Sequence, residues 1–288
     1  MAFSLSPAEF FPRLLKDFRE GFTGEDHKNR PGAARPPGVD FFKDVSRMND
    51  YMLSALFWGL GGLINGVAGF GAALIAMPMV TQFVDITVAV PACTLISLGM
   101  NSQTGLTYRK HADWHRLKFL IIGAFPGTLL GVTLMKQLPG TWLKLAMGCF
   151  LIIYSTWSLF FEGRVKVRAS RHWGLLAGCC STAIGTAFGM GGPPTIVYTS
   201  LTGWSRDQIK AAIGAFFMVA GVIMITAQLL SGLQSMASLG LALVSIPASI
   251  MGGWIGIRLS RHIGEFSYRR ILFSLLAFMG MLIIYRAL

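Results

Sequence analysis

The chain has 288 residues, of which 53% are hydrophobic and 13% charged, and it carries a net charge of +12; its mean hydropathy is +0.57. That balance excludes a soluble domain of this length and points to a bilayer. The positive charge does not indicate nucleic acid, because the basic residues are scattered through short loops, as in Arg109, Lys110, Arg116, Lys118 and Arg164, Lys166, Arg168, Arg171, which is the usual topology signal of a membrane protein.

Residues 1–49 are polar and mixed in charge, which does not match a cleavable signal peptide. Phe11, Leu14, Leu15, Phe18 and Phe22 recur at helical spacing, so this tail reads either as an interfacial amphipathic helix or as a weakly ordered segment leading into the Pro-rich stretch from Arg30. Stretches free of Asp, Glu, Lys and Arg then follow from Tyr51 to Val84, Ile86 to Tyr108, Phe119 to Met135, Leu145 to Phe161, Trp173 to Ser205, Ala211 to Ile257 and Ile271 to Tyr285. The run from Ala211 is long enough to cross twice, giving about eight hydrophobic segments. They are apolar on all sides and lack the short alternating pattern of a β-barrel, so the expected fold is an all-α polytopic membrane protein. Cys93, Cys149, Cys179 and Cys180 all fall in apolar segments without Cys-x-x-Cys spacing and read as buried free thiols.

Beyond the tail the chain reads as two homologous halves, 50–165 and 166–288. Gly69-x-Gly71 matches Gly189-x-Gly191, Pro126 matches Pro247, and Gly131 matches Gly252, all at a spacing near 120 residues. Loop charge leaves two arrangements open. Full spans throughout, with a cytoplasmic tail, put the cluster from Arg258 to Arg270 outside, against the positive-inside tendency. Re-entrant hairpins at the two breaks instead invert the halves and bring the clusters around Arg109, Arg164, Arg206 and Arg258 to the cytoplasm, with the tail outside.

The breaks carry the chemistry. Asn65-Gly-Val-Ala-Gly-Phe-Gly-Ala-Ala and Thr186-Ala-Phe-Gly-Met-Gly-Gly-Pro-Pro interrupt long apolar stretches, as transporters do when they build a site near the bilayer midplane. Glycines at positive φ leave N–H groups free, and proline suits the first helical turn, so half-helices are expected to start at Pro193 and just after Gly71. Their positive dipole ends suit an anion and spare the cost of a buried Lys or Arg. Candidate binding residues are therefore Gly69, Gly71, Gly189, Gly191 and Gly192, with Asn65, Asn101, Gln103, Thr186 and Thr195 as neutral hydrogen-bonding side chains nearby. The alternative for these glycines is close helix packing, the role expected of Gly62-x-x-x-Gly66 and Gly127-x-x-x-Gly131.

Asp50, Asp85, Asp113, Glu162, Asp207 and Glu265 all lie at segment ends or in loops, and no metal-ligand spacing or phosphate loop is present. No metal, cofactor or catalytic residue is implied, and an enzyme would have only scattered hydroxyls and thiols to work with. The two glycine motifs and the Asn101 region between them resemble the TauE/SafE family of sulfite exporters, also described as the sulfonate uptake permease family, over residues 51–288. The resemblance implies a multi-pass secondary transporter of the bacterial inner membrane whose partners are the lipid bilayer and a small sulfur-containing anion such as sulfite or an organosulfonate. Export is the expected direction; an anion channel and a non-transporting subunit of a larger complex are the alternatives. Ala72 and Ala73 stand where the second half has Gly192 and Pro193, which departs from a strict repeat.

Overall fold

The computed structural model describes residues 39–111, 113–160, 170–201, 204–259 and 265–287. The chain divides after Val45 into two units, and the larger, which holds the membrane helices, begins at Ser46. Residues 1–38 of the tail, with the expected amphipathic stretch Phe11–Phe22, and the basic loop around Arg164 lie outside the described residues. Among those described, all regular structure is helical: α1 (Val39–Ala68), α2 (Ala72–Val80), α3 (Ile86–Thr107), a 3-10 turn (Arg109–His111), α4 (Trp114–Gln137), α5 (Gly140–Phe160), α6 (Arg171–Phe188), α7 (Gly192–Leu201), α8 (Arg206–Leu230), α9 (Met236–Leu259) and α10 (Glu265–Ala287). Among the described residues four stretches, within α4, α5, α8 and α9, are by length and composition long and apolar enough to cross a membrane. The central α3 is about 33 Å long but more polar, because Thr94, Ser97, Asn101, Ser102 and Gln103 interrupt it.

Local chemistry sets the helix ends. Asp85 accepts from the Thr87 N–H at 2.8 Å and caps α3, Ser170 caps α6, and Ser205 with Gln208 forms a capping box at the start of α8. The exposed faces of α4, α5 and α9 present Leu129, Leu130, Ile153, Leu243 and Met251, a surface suited to lipid tails. Inside, Trp58, Met77, Ile96 and Met147 share one core, while Leu117, Leu120, Tyr198 and Phe216 share a second. The thiols are free, but only Cys93 is buried; Cys149 and Cys180 sit on the exposed helix faces and Cys179 is half-buried, so the expectation of burial is corrected for these three.

Glycine contacts fix the helix pairs and their directions. A Cβ on Gly62 would meet the Ser249 carbonyl, one on Gly66 the Gly253 carbonyl, and one on Gly252 the Gly59 carbonyl, so α1 and α9 lie parallel with backbones touching. In the same way Gly123 and Gly127 face the Leu175 and Cys179 carbonyls, setting α4 parallel to α6. Helices α3 and α8 are antiparallel, with Gly105 against Gly214 and Thr94 accepting from the Gln228 amide at 3.1 Å. Antiparallel too are α5 and α10, through Gly148 and Gly280.

The broken segments fold back on themselves. Gly61 faces Ala72 and Ala76, and the Phe57 and Phe83 rings lie 6.0 Å apart, so α1 and α2 form an antiparallel hairpin. Gly185 meets Gly191, and Ser181 Oγ lies 2.6 Å from Thr195 Oγ1, making α6 and α7 a second hairpin. The first opens at the end of the bundle that holds Asp50, Asp85 and Arg286, whose guanidinium donates to Gln82 Oε1 at 2.7 Å. The second opens at the opposite, basic end, which holds Arg109, Lys110, Lys118, Arg171, Lys210 and Arg258.

Replacing Gly127 or Gly252 with Leu forces the paired backbones apart and is expected to cost more than about 3 kcal/mol, seen as loss of monodisperse protein, whereas Leu129→Ala on the lipid face leaves the thermal midpoint nearly unchanged. Asp85→Ala removes a cap worth about 1 kcal/mol. The Thr87 hydroxyl, donating at 2.6 Å, holds the Asp85 carboxyl below its ordinary pKa against the opposing effect of partial burial. The wild-type advantage is therefore full above the unfolded carboxylate value near 3.9 and falls away as pH drops through the lower folded value. Thermal melts of both proteins at pH 7 and pH 3 measure this convergence.

Candidate functional site

At the tip of the first hairpin Gly69 has φ +85° and donates its N–H to the Asn65 carbonyl at 2.6 Å, closing α1. Gly71, at φ +98°, precedes α2 with no side-chain cap. These are left-handed conformations that glycine adopts without penalty. The first amide bonded within α2 is that of Ile75, to the Gly71 carbonyl at 3.3 Å. The N–H groups of Ala72 and Ala73 therefore have no intrahelical acceptor.

The second tip is built differently. Gly189 has φ +77° and donates to the Gly185 carbonyl at 2.9 Å, closing α6. Gly191 and Gly192 are not at positive φ, which corrects the expectation for them. Gly191 is required by packing, since a Cβ there would meet the Ser181 carbonyl, while a Cβ on Gly192 has only Ile196 Cδ1 nearby at 3.5 Å. Helix α7 begins at Gly192, one residue before the expected start. Pro193 and Pro194 have no N–H, so Gly192 supplies the donor of that helix end.

Both tips border one cavity of about 80 Å³. Phe70, Gly71, Ala72 and Ala73 line it from the first break, Gly189, Gly191 and Gly192 from the second, and Cys93, Ser97 and Asn101 from α3. Among the described residues no charged side chain borders it. Asn65 is 9% exposed and its amide bonds no described residue; the Asn101 amide is likewise unpaired among the described residues. Cys93 donates its thiol to the Gly189 carbonyl at 3.2 Å and lies 3.7 Å from Ser97 Oγ, tying the second tip to α3. Two positive helix ends, neutral amides and a hydroxyl thus converge on one small space, and the physical chemistry of such groups suits a compact anion without a charged lining residue.

Of the residues expected at a site, Asn65, Gly71, Asn101, Gly189, Gly191 and Gly192 line this cavity. Gly69 and Gln103 line a smaller neighbouring one that shares Asn65. Thr186 and Thr195 line neither. Thr195 is spent on Ser181, and Thr186 is fully buried beneath Gly131 with its hydroxyl unsatisfied. Sequence reasoning misses Cys93, Thr94 and Ser97, although with Asn101 they mark a polar stripe along one face of α3 at helical spacing. Among the described residues no cluster of His, Cys, Asp or Glu is placed to hold a metal ion.

No solved structure matches the chain. It is 29% identical over 181 residues, 62% of this chain and 74% of the relative, to the probable inner membrane transporter protein TsaS of Comamonas testosteroni. The family model described as "Sulfite exporter TauE/SafE" matches residues 54–283, nearly the whole helical unit. The chain therefore belongs to the TauE/SafE family and is a multi-pass inner-membrane transporter.

Proposed function

We propose that this transporter exports small sulfur oxyanions, with sulfite as the reference substrate, and binds them between the starts of α2 and α7. The observation that carries this reading is the cavity where the starts of α2 and α7 meet the amides of Asn65 and Asn101, which are unpaired among the described residues. Its size supports a compact anion. One water needs about 10–15 Å³ by this measure, so about 80 Å³ admits a species of a few heavy atoms rather than a long organosulfonate. The family's description as sulfite exporters agrees with that chemistry. A monoanion leaving a negative-inside cell gains about 2.3 kcal/mol per 100 mV, so export proceeds without a carboxylate relay in the membrane.

The same reading assigns a membrane topology. Helices α3, α4, α5, α8, α9 and α10 cross the bilayer, the α1–α2 and α6–α7 hairpins enter it from opposite faces, and 50–165 and 166–288 form inverted repeats. The hairpin directions and the shared landmarks at Gly69 and Gly189 support this. The concentration of Arg109, Lys110, Arg171 and Arg258 at one end supports a cytoplasmic assignment for that end, with Asp50 at the periplasmic surface.

Saturable uptake of radiolabelled sulfite into proteoliposomes of the purified protein tests the transport reading; no flux from folded protein contradicts it. Gly192→Val, whose Cβ would have only Ile196 Cδ1 nearby at 3.5 Å, is expected to leave the fold intact and reduce flux at least tenfold. Asn65→Ala removes a donor to a charged ligand and is expected to raise KM roughly ten- to a hundredfold, with Asn65→Asp more severe. For topology, in a cysteine-free background a membrane-impermeant thiol reagent is expected to label Asn49→Cys from the periplasm and Lys110→Cys from the cytoplasm; the reverse pattern contradicts the assigned orientation.

A further inference from the structure

Next to the central cavity, toward the basic end, lies a second space of about 10 Å³, room for one water-sized group. Asn65 borders both, so the two spaces are neighbours. The other walls of the smaller space include Gly69, Gln103, Tyr108, Lys210 and Gly253. Lys210 lies across the first hairpin tip: a Cβ on Gly69 would sit 2.7 Å from its Cγ and 3.0 Å from its Cε. Its ammonium stands 5.4 Å from the centre of the Tyr108 ring. The side chain is half-buried, and among the described residues no carboxylate pairs with it; Asp207, three residues earlier on α8, is exposed. Gln103 is half-buried too, and its amide is unpaired among the described residues.

An ammonium drawn into a half-buried position beside a free amide and a phenol, without a counter-charge, calls for an anion. The other hairpin tip has no such group. The 120-residue correspondence puts Val90 where Lys210 stands, and Gly189 packs against Met77 and Cys93. The two ends of the pathway are therefore electrostatically unlike.

We propose that Lys210, Gln103 and Tyr108 form an outer subsite on the basic side of Asn65, sized for one oxygen of an oxyanion, which draws the anion toward the central cavity from that face and makes the transporter asymmetric. The proposal rests on the transport reading above for its direction, but the site itself is a binding claim that stands apart from flux. An anion arriving from the basic face meets the ammonium first, then passes Asn65 to the paired helix ends; at the other hairpin tip no ammonium stands over Gly189, which packs against Met77 and Cys93. The attraction is a charge effect at a half-exposed position, so it weakens as salt rises. Arginine preserves the charge, while glutamine and methionine keep the stem that covers Gly69 and remove it.

The test compares wild type with Lys210→Arg, Lys210→Gln and Lys210→Met, first by equilibrium binding of radiolabelled sulfite to purified protein at low and high salt, then by sulfite flux from each face of oriented proteoliposomes. The expected result is that Lys210→Gln and Lys210→Met lose the salt-sensitive component of binding and raise KM at least tenfold from the basic face only, with maximal rate little changed, while Lys210→Arg stays within about threefold of wild type. Lys210-dependent binding without flux from wild type leaves the outer site standing and overturns the transport reading. Flux together with Lys210→Gln binding and KM like wild type at both faces overturns the outer site. So does wild type that binds no sulfite, or a loss of maximal rate in all three variants alike, which marks Lys210 as a packing residue over Gly69.

Discussion

A polypeptide that breaks a helix inside hydrocarbon must account for every N–H and C=O it releases, because no water is present to take them. The architecture around Gly69–Gly71 and Gly189–Gly191 follows from that requirement. At each tip the C-terminal end of the long arm is closed by a glycine amide returning to a carbonyl four residues back, Gly69 to Asn65 and Gly189 to Gly185. The Gly189 carbonyl is taken by the Cys93 thiol. What stays open is the donor end of each short arm, and both open ends face the same small cavity. On the proposed reading, open donors at both tips are what suits negative charge without a cation at the site.

Holding two such tips against each other demands rigid scaffolding, and the glycine seams provide it. Helix α1 touches α9 and α6 touches α4 at the level of the backbone, with no side chain between them. On the proposed repeat, each hairpin is thus clamped to a helix of the opposite half. Such seams resist side-chain addition but offer no interlocking side chains to resist sliding, and that combination suits a rocking motion of one half against the other. The pairing of α3 with α8 runs through the middle, where Gly105 meets Gly214 and Gln228 bonds Thr94, and it carries the polar wall of the cavity.

Much of this is legible in the sequence because bilayer physics leaves few options. Charge-free runs of sufficient length can only be helices or barrel strands, and the absence of alternation decides between them. The positive φ of Gly69, Gly71 and Gly189 is signalled by glycine spacing in otherwise uniform apolar segments. The second break misleads in detail: Gly191 reads as a point of conformational freedom, whereas its role is to let α6 and α7 touch, a tertiary demand that no local pattern announces. Thr186 and Thr195 lie close to the break along the chain, but hairpin geometry turns them into the α6 interfaces. Cys93 and Ser97 give little signal because, taken singly, they are small and weakly polar. Only their shared face with Asn101 shows what they border. Hydropathy likewise undervalues α3, since a helix that lines a polar cavity at the protein centre has no need to be as apolar as one that meets lipid.

The proposed seat of the oxyanion, between the starts of α2 and α7, is tested most directly by crystallography: soak or co-crystallise the protein with selenite, a heavier analogue of sulfite, and locate selenium by anomalous scattering. The expected result is a peak within hydrogen-bond reach of the Ala72 and Ala73 amides, Gly192 and the Asn65 side chain. Selenium found only outside that cavity, in a preparation that transports sulfite, contradicts it.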